Sequence, residues 1–202
     1  GDVYKRQPLI RHLPNLVSSI RILMAPVLFY LALQQQPDIF LAVVIFTTFT
    51  DVLDGFLART LNQITELGAR LDSWGDFTIY STLAISAWIL WPDIVQQERF
   101  YVMVIVASFT LPVIIGLIKF RTLTSYHTWS VKIAVAVTIV GYLLLFSGFT
   151  SWPFKLAAVC CTYAAIEQIM ITMVTRQEKV VDIRTLWQAI RENKNAGKAN
   201  SN

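Results

Sequence analysis

Asp51, Asp54, Asp72 and Asp76 stand in or beside strongly apolar sequence, together with Gly55, Ala58, Arg59 and Gly68. The spacing is D-x2-D-G-x2-A-R, eight residues, G-x3-D-x3-D. An ionised aspartate at the centre of a membrane helix costs about 3 kcal/mol, so four cost on the order of 10 kcal/mol before compensation. Only Arg59 and Arg70 are near enough in sequence to offset them. One or two divalent cations are the natural partners. Hard carboxylate oxygens select Mg²⁺, Mn²⁺ or Ca²⁺ over zinc, which favours His and Cys. Two metals bridged by shared carboxylates suit in-line displacement at phosphorus. A carboxylate beside them can take a proton from an attacking hydroxyl.

Two other readings compete. The aspartates could form interhelical ion pairs with Arg59 and Arg70, but two cations cannot neutralise four anions. They could line a cation pathway, making this a non-enzymatic cation-binding or transport protein. Their clustering at one end of the apolar blocks argues against that.

The elements that must hold these residues are helices. At 100° per residue, Asp51, Asp54, Gly55 and Ala58 share an arc of roughly 100°, and Gly68, Asp72 and Asp76 share another. Each face pairs two carboxylates with small residues, which allow close approach of a helix or a ligand. Of the 202 residues, 55% are hydrophobic and 15% charged, well below the quarter charged expected of a soluble domain. Apolar blocks at 16–33, 39–58, 71–91, 100–118, 131–149 and 154–174 approach the length of a membrane span. The expected fold is all-α: a polytopic bundle of six transmembrane helices with an amphipathic, interfacial C-terminal helix.

Polar or proline-containing breaks at 34–38, 92–99, 119–128 and 147–153 separate the blocks. If the chain alternates sides, 15 of its 17 Lys and Arg residues fall on the side of both termini, and only Arg99 and Lys155 on the other. Positive charge accumulates in the cytoplasm, so both termini and the aspartate pattern are expected there, in a bacterial inner membrane. Topology and anionic lipid account for the net charge of +4 without a nucleic-acid partner.

The complete aspartate pattern resembles the signature of the CDP-alcohol phosphatidyltransferase family, and the six-block layout extends the likeness over nearly the whole chain. The stretch from Pro14 to Arg21 also resembles the start of that family's first helix. The resemblance implies phospholipid biosynthesis: CDP-diacylglycerol gives its phosphatidyl group to an alcohol, and CMP leaves. By similarity, Asp51, Asp54, Asp72 and Asp76 hold two divalent cations, Mg²⁺ or Mn²⁺, with Asp51 and Asp72 bridging and Asp76 as the base. Gly55, Ala58, Arg59, Gly68, Thr65 and Asn15 are the candidates for binding CDP-diacylglycerol. A planar guanidinium at Arg59 suits a diphosphate, and Gly55 removes the side chain that would keep a nucleotide away.

The acceptor is expected to be of the glycerol-phosphate or phosphatidylglycerol type, with inositol, serine or another alcohol as the alternative. Lys119, Arg121, His127, Ser130 and Lys132 are candidates for binding it; the competing reading is that these cations only enforce topology. Expected partners are CDP-diacylglycerol, a small alcohol or lipid acceptor, membrane lipids and a second copy of the chain.

Cys160 and Cys161 are adjacent in an apolar block and are read as packing residues, not as a disulfide. His12 is read as a surface residue. The block at 16–33 is too long for the apolar core of a secretory signal and is read as a span. Residues 1–7 are set aside as a truncated or non-native leader, 8–175 form the catalytic domain, and 176–202 form a cytoplasmic tail. Val180, Ile183, Trp187 and Ile190 in that tail recur at helical spacing.

Overall fold

The computed structural model describes the backbone of residues 13–60, 66–121 and 128–175, and the side chains of 22–50, 74–121 and 128–175. The leader, Thr65, His127 and the amphipathic tail lie outside the described residues. Every described element is a helix: α1 (Leu13–Leu33), α2 (Pro37–Thr60), α3 (Glu66–Leu90), α4 (Pro92–Gln97), α5 (Arg99–Phe120), α6 (Trp129–Phe146) and α7 (Trp152–Val174). They fall into two units, residues 1–92 and 93–202.

Helix boundaries follow from local chemistry. Pro37 opens α2, where its missing N–H costs nothing, and Asp38 places a carboxylate at the positive helix end. Trp91 precedes Pro92 and is disfavoured from continuing α3. Two expectations need correction. The segment at 92–99 was expected as a polar break, yet Pro92 and Asp93 start the short helix α4, which buries Val95. Helix α3 begins at Glu66, five residues before its apolar block, because polar residues continue a helix beyond its membrane-embedded part.

In the first unit, α1 packs on both α3 and α2. Ala25, Leu28 and Ala32 form its buried stripe; Phe40, Val44 and Thr47 form that of α2, and Ile79, Ser86 and Ala87 lie on α3. The hydroxyls of Thr47, Thr48 and Thr50 donate back to carbonyls three or four residues earlier. Such bonds satisfy polar groups within apolar surroundings. The Phe40 ring meets Trp91 edge-on, 5.9 Å between centroids.

In the second unit, α7 packs on both α6 and α5. Its buried face is made of small residues, Ala157, Ala158, Cys161, Ala164 and Ala165, so neighbouring backbones come close. The closest approach is at Gly141, where a Cβ would stand 2.8 Å from the Cα of Phe154. Gly148 turns the chain between α6 and α7 at φ 76°. Cys160 and Cys161 are free thiols. At the far end from the α5–α6 connection, Lys155 pairs with the buried Glu98 at 3.2 Å.

Helices α5, α6 and α7 are long and apolar enough to cross a membrane. Among the residues searched, the apolar helical stretches Ile22–Leu33 and Pro37–Thr50 are shorter. Large apolar side chains face outward throughout, among them Phe46, Trp88, Met103 and Ile118. That is the distribution of a protein solvated by lipid rather than water.

Candidate active site

The aspartates lie on α2 and α3. These helices run antiparallel, and the described ends establish it. Phe40 near the start of α2 meets Trp91 just past the end of α3, and the Gln35 amide donates to the Ile89 carbonyl at 3.4 Å. The other ends, Thr60 and Glu66, are joined by a five-residue connection. Positions along the two helices therefore match in pairs. Asp54 is six residues before the end of α2, and Asp72 six residues after the start of α3. That is about 9 Å of rise for each. Asp51 and Asp76 are nine and ten residues in, about 14 and 15 Å.

Unbroken helix through 51–60 and 66–76 places Asp51, Asp54, Gly55 and Ala58 on one arc of α2, and Gly68, Asp72 and Asp76 on one arc of α3. By residue count, Asp54 and Asp72 stand equally far from the connection between α2 and α3, and Asp51 and Asp76 nearly so. Asp76 is half-buried, next to the buried Gly75. The side chains of Asp51, Asp54, Gly55, Ala58, Arg59, Gly68, Asp72 and Asn15 lie outside the described residues, although their helices are described.

The acceptor candidates fall at one end of the second unit. The Lys119 ammonium donates to the carbonyls of Thr172 and Met173, at 2.7 and 2.9 Å. These belong to the last turn of α7, whose carbonyls have no partner within the helix. Lys119 also lies over the Phe120 ring. Arg121 is exposed and closes α5 in the left-handed conformation, φ 58°, its N–H bonded to the Leu117 carbonyl at 2.9 Å. Lys132 is exposed, 4.9 Å over the Trp129 ring.

Ser130 is half-buried and donates its hydroxyl hydrogen to the Glu167 carboxylate. Its oxygen lies 2.8 Å from that of Thr128. The Thr128 hydroxyl caps α6 by accepting from the Val131 N–H. Glu167, the only carboxylate in α7, was missed by sequence reasoning. Its signal was available: an ionisable residue inside an apolar span marks a functional position by default. A cavity of about 30 Å³, room for a single water, lies close by, lined by Ser108, Val131, Ala134, Cys161 and Gln168 among others.

Residues 11–180 match the family model for CDP-alcohol phosphatidyltransferase, and the chain belongs to that family. It is 37% identical over 117 residues to the cardiolipin synthase (CMP-forming) of Rattus norvegicus, covering 57% of this chain and 38% of the relative. It is 40% identical over 75 residues to the CDP-diacylglycerol–glycerol-3-phosphate 3-phosphatidyltransferase of Aquifex aeolicus, covering 36% and 42%. A CDP-diacylglycerol–inositol 3-phosphatidyltransferase of Candida albicans is 33% identical over 87 residues, covering 43% and 37%. The chain thus spans about two fifths of the length of these curated relatives. No solved structure matches it at a significant level.

Proposed function

We propose that this protein transfers the phosphatidyl group of CDP-diacylglycerol to an alcohol of the glycerol-phosphate or phosphatidylglycerol type. What supports the reading is that Asp54 and Asp72, and nearly so Asp51 and Asp76, stand equally many residues from the shared connection of two antiparallel helices. The acceptor's oxygen forms a bond to the β-phosphorus, on the diacylglycerol side of the diphosphate. The bond from that phosphorus to the bridging oxygen breaks, and CMP departs carrying the bridge. Asp76 takes the proton released by the attacking hydroxyl. Asp51, Asp54, Asp72 and Asp76 hold two divalent cations, Mg²⁺ or Mn²⁺, which when bound offset the diphosphate charge and polarise phosphorus. Arg59 meets the diphosphate, and Gly55, Ala58 and Gly68 leave room for the nucleotide, with Thr65 and Asn15 at its margin.

At the acceptor end, Arg121 and Lys132 attract the phosphate, while Lys119, at the end of α5, adds its charge from against the last turn of α7. His127 contributes from the same connection. The chain crosses the inner membrane six times, with the termini and site cytoplasmic, the 176–202 tail on the interface, and a second copy as neighbour. Residues 8–175 form the transferase domain.

The test is CMP release by the full chain in detergent or membranes, with CDP-diacylglycerol and sn-glycerol 3-phosphate or phosphatidylglycerol. Release should require Mg²⁺ or Mn²⁺ and disappear in Asp51→Asn and Asp72→Asn. Metal-independent release, or near-normal turnover of either folded variant, defeats the two-metal reading. The relative from Candida albicans favours a second reading, an inositol acceptor, which turnover with inositol and not with glycerol phosphate would establish.

A further inference from the structure

Arg21 is the only charged residue of α1, so no acidic residue in that helix can neutralise it. An arginine inside an apolar helix is costly and marks a functional position, and its anion has to come from another element. The helix supplies the direction. Ala25, Leu28 and Ala32 form the buried stripe of α1, which packs on both α2 and α3. Arg21 continues that stripe at spacings of four, three and four residues, on a helix that runs unbroken from Leu13 to Leu33. The exposed residues Leu23, Val27 and Tyr30 fall about 120–180° away around the helix. Pro26 is exposed as well, and the helix continues through it.

The far ends of the three helices lie together. Gln35, just past α1, donates to the Ile89 carbonyl, and Phe40, in the first turn of α2, meets Trp91. Counted from those ends, Arg21 is twelve residues before Leu33, Asp76 fourteen before Leu90, and Asp51 fourteen after Pro37. At the rise of an α-helix these counts are about 18, 21 and 21 Å. Arg59 is twenty-two residues after Pro37, about 33 Å on the same scale. Arg70 drops out, because it falls about 160° from Asp72 around α3. Thirty residues separate Arg21 from Asp51 in the chain, yet the helix ends bring them to nearly the same count within one unit.

Two divalent cations offset four aspartates and leave no charge over for the donor. A diphosphate diester brings two negative charges, one on each phosphorus, and Arg59 meets one of them. We infer that Arg21 binds the other, the phosphate on the diacylglycerol side of the donor. The juxtaposition that carries this is an arginine on the packing face of α1, at nearly the residue count of Asp51 and Asp76 and further than Arg59 from the α2–α3 connection. The lipid half of the donor has to lie on that side, because its acyl chains enter the hydrocarbon. A planar guanidinium can donate two parallel hydrogen bonds to such a phosphate. The inference rests on the transfer reaction proposed above and adds the residue that reads the donor's second phosphate.

The experiment titrates the full chain, in detergent with Mg²⁺, with CMP, CDP and CDP-diacylglycerol. CDP carries the second phosphate without acyl chains, so the difference between CMP and CDP isolates that phosphate. Arg21→Gln should weaken CDP and CDP-diacylglycerol by about tenfold or more, as expected for a lost hydrogen bond between charged groups, and leave CMP unchanged. Arg21→Lys keeps the charge and loses the paired donors. It should lose part of the CDP affinity, again sparing CMP, and it decides the matter if thermal unfolding shows that the glutamine variant is not folded. Equal losses for CMP and CDP overturn the assignment. So does wild-type affinity for all three ligands in the folded variants, which would leave Arg21 as a lipid-facing charge. In both cases Mg²⁺-dependent CMP release by the wild type leaves the transferase reading standing. A wild type that binds none of the three and releases no CMP with any acceptor, inositol included, refutes the transfer reaction and the assignment with it.

Discussion

The Lys119 ammonium lies 2.7 Å from the carbonyl oxygen of Thr172, fifty-three residues away, at the open end of α7. A cation there satisfies carbonyls that helix geometry leaves unpaired and meets the negative end of the helix dipole. Lys119→Met keeps the apolar stem and removes both effects. It should lower stability by about 1 kcal/mol, the net worth of hydrogen bonds to carbonyls that are at most partly buried. Thermal unfolding in detergent measures this, and Lys119→Arg should recover most of the loss.

Asp76 is assigned the proton of the attacking hydroxyl. Asp76→Asn should therefore reduce kcat by about 10²–10⁴-fold. Retained binding of CDP-diacylglycerol would separate this loss from a collapsed site. The measurement is single-turnover CMP release beside a binding titration.

Arg121 permits an unusually clean charge removal. A non-glycine residue at φ 58° bears roughly 1–2 kcal/mol of steric cost. Arg121→Gly removes the guanidinium and that cost together, so stability should hold or rise. The KM for a phosphorylated acceptor should rise about tenfold, as expected for a lost charge-assisted contact. The KM for CDP-diacylglycerol should change little. Equal losses for both substrates would mean that Arg121 touches a phosphate common to them.

Gly141 faces the backbone of Phe154 with no space for a methyl group. Gly141→Ala forces α6 and α7 apart and should cost about 1–3 kcal/mol, an overpacking penalty. A backbone cannot swing aside as a side chain can, so the melting midpoint should fall even for this smallest substitution.

Sidedness can be read chemically. In a chain with Cys160 and Cys161 replaced by Ala, a cysteine at Gln35 should react only from outside, and one at Gln63 only from the cytoplasm. Reaction of both from one side would break the six-span topology.

Much of this was legible in the sequence, because apolar block length and Asp spacing both follow helical geometry. Asp54 and Asp72 could be placed on helical faces from residue numbers alone. Their matched depth required the observed ends, Thr60 and Glu66, because polar residues such as Arg70 hide where a helix begins. The acceptor end was harder to read. Lys119 and Lys132 look alike as positive charges in a connection, yet one caps a distant helix and the other lies over an indole ring. No local pattern separates those fates, since the partners of Lys119 lie fifty residues downstream. Glu167 stands alone in its apolar block, with no second carboxylate at helical spacing to mark a site.

Both flanks of the α5–α6 connection are tied to the same helix, Lys119 to the last turn of α7 and Ser130 to Glu167, five residues before Thr172. The end of α5 and the start of α6 are therefore held to one another through α7 as well as through the chain. One helix sets the spacing of both, so a substitution in the last two turns of α7 is felt at two places far apart in sequence.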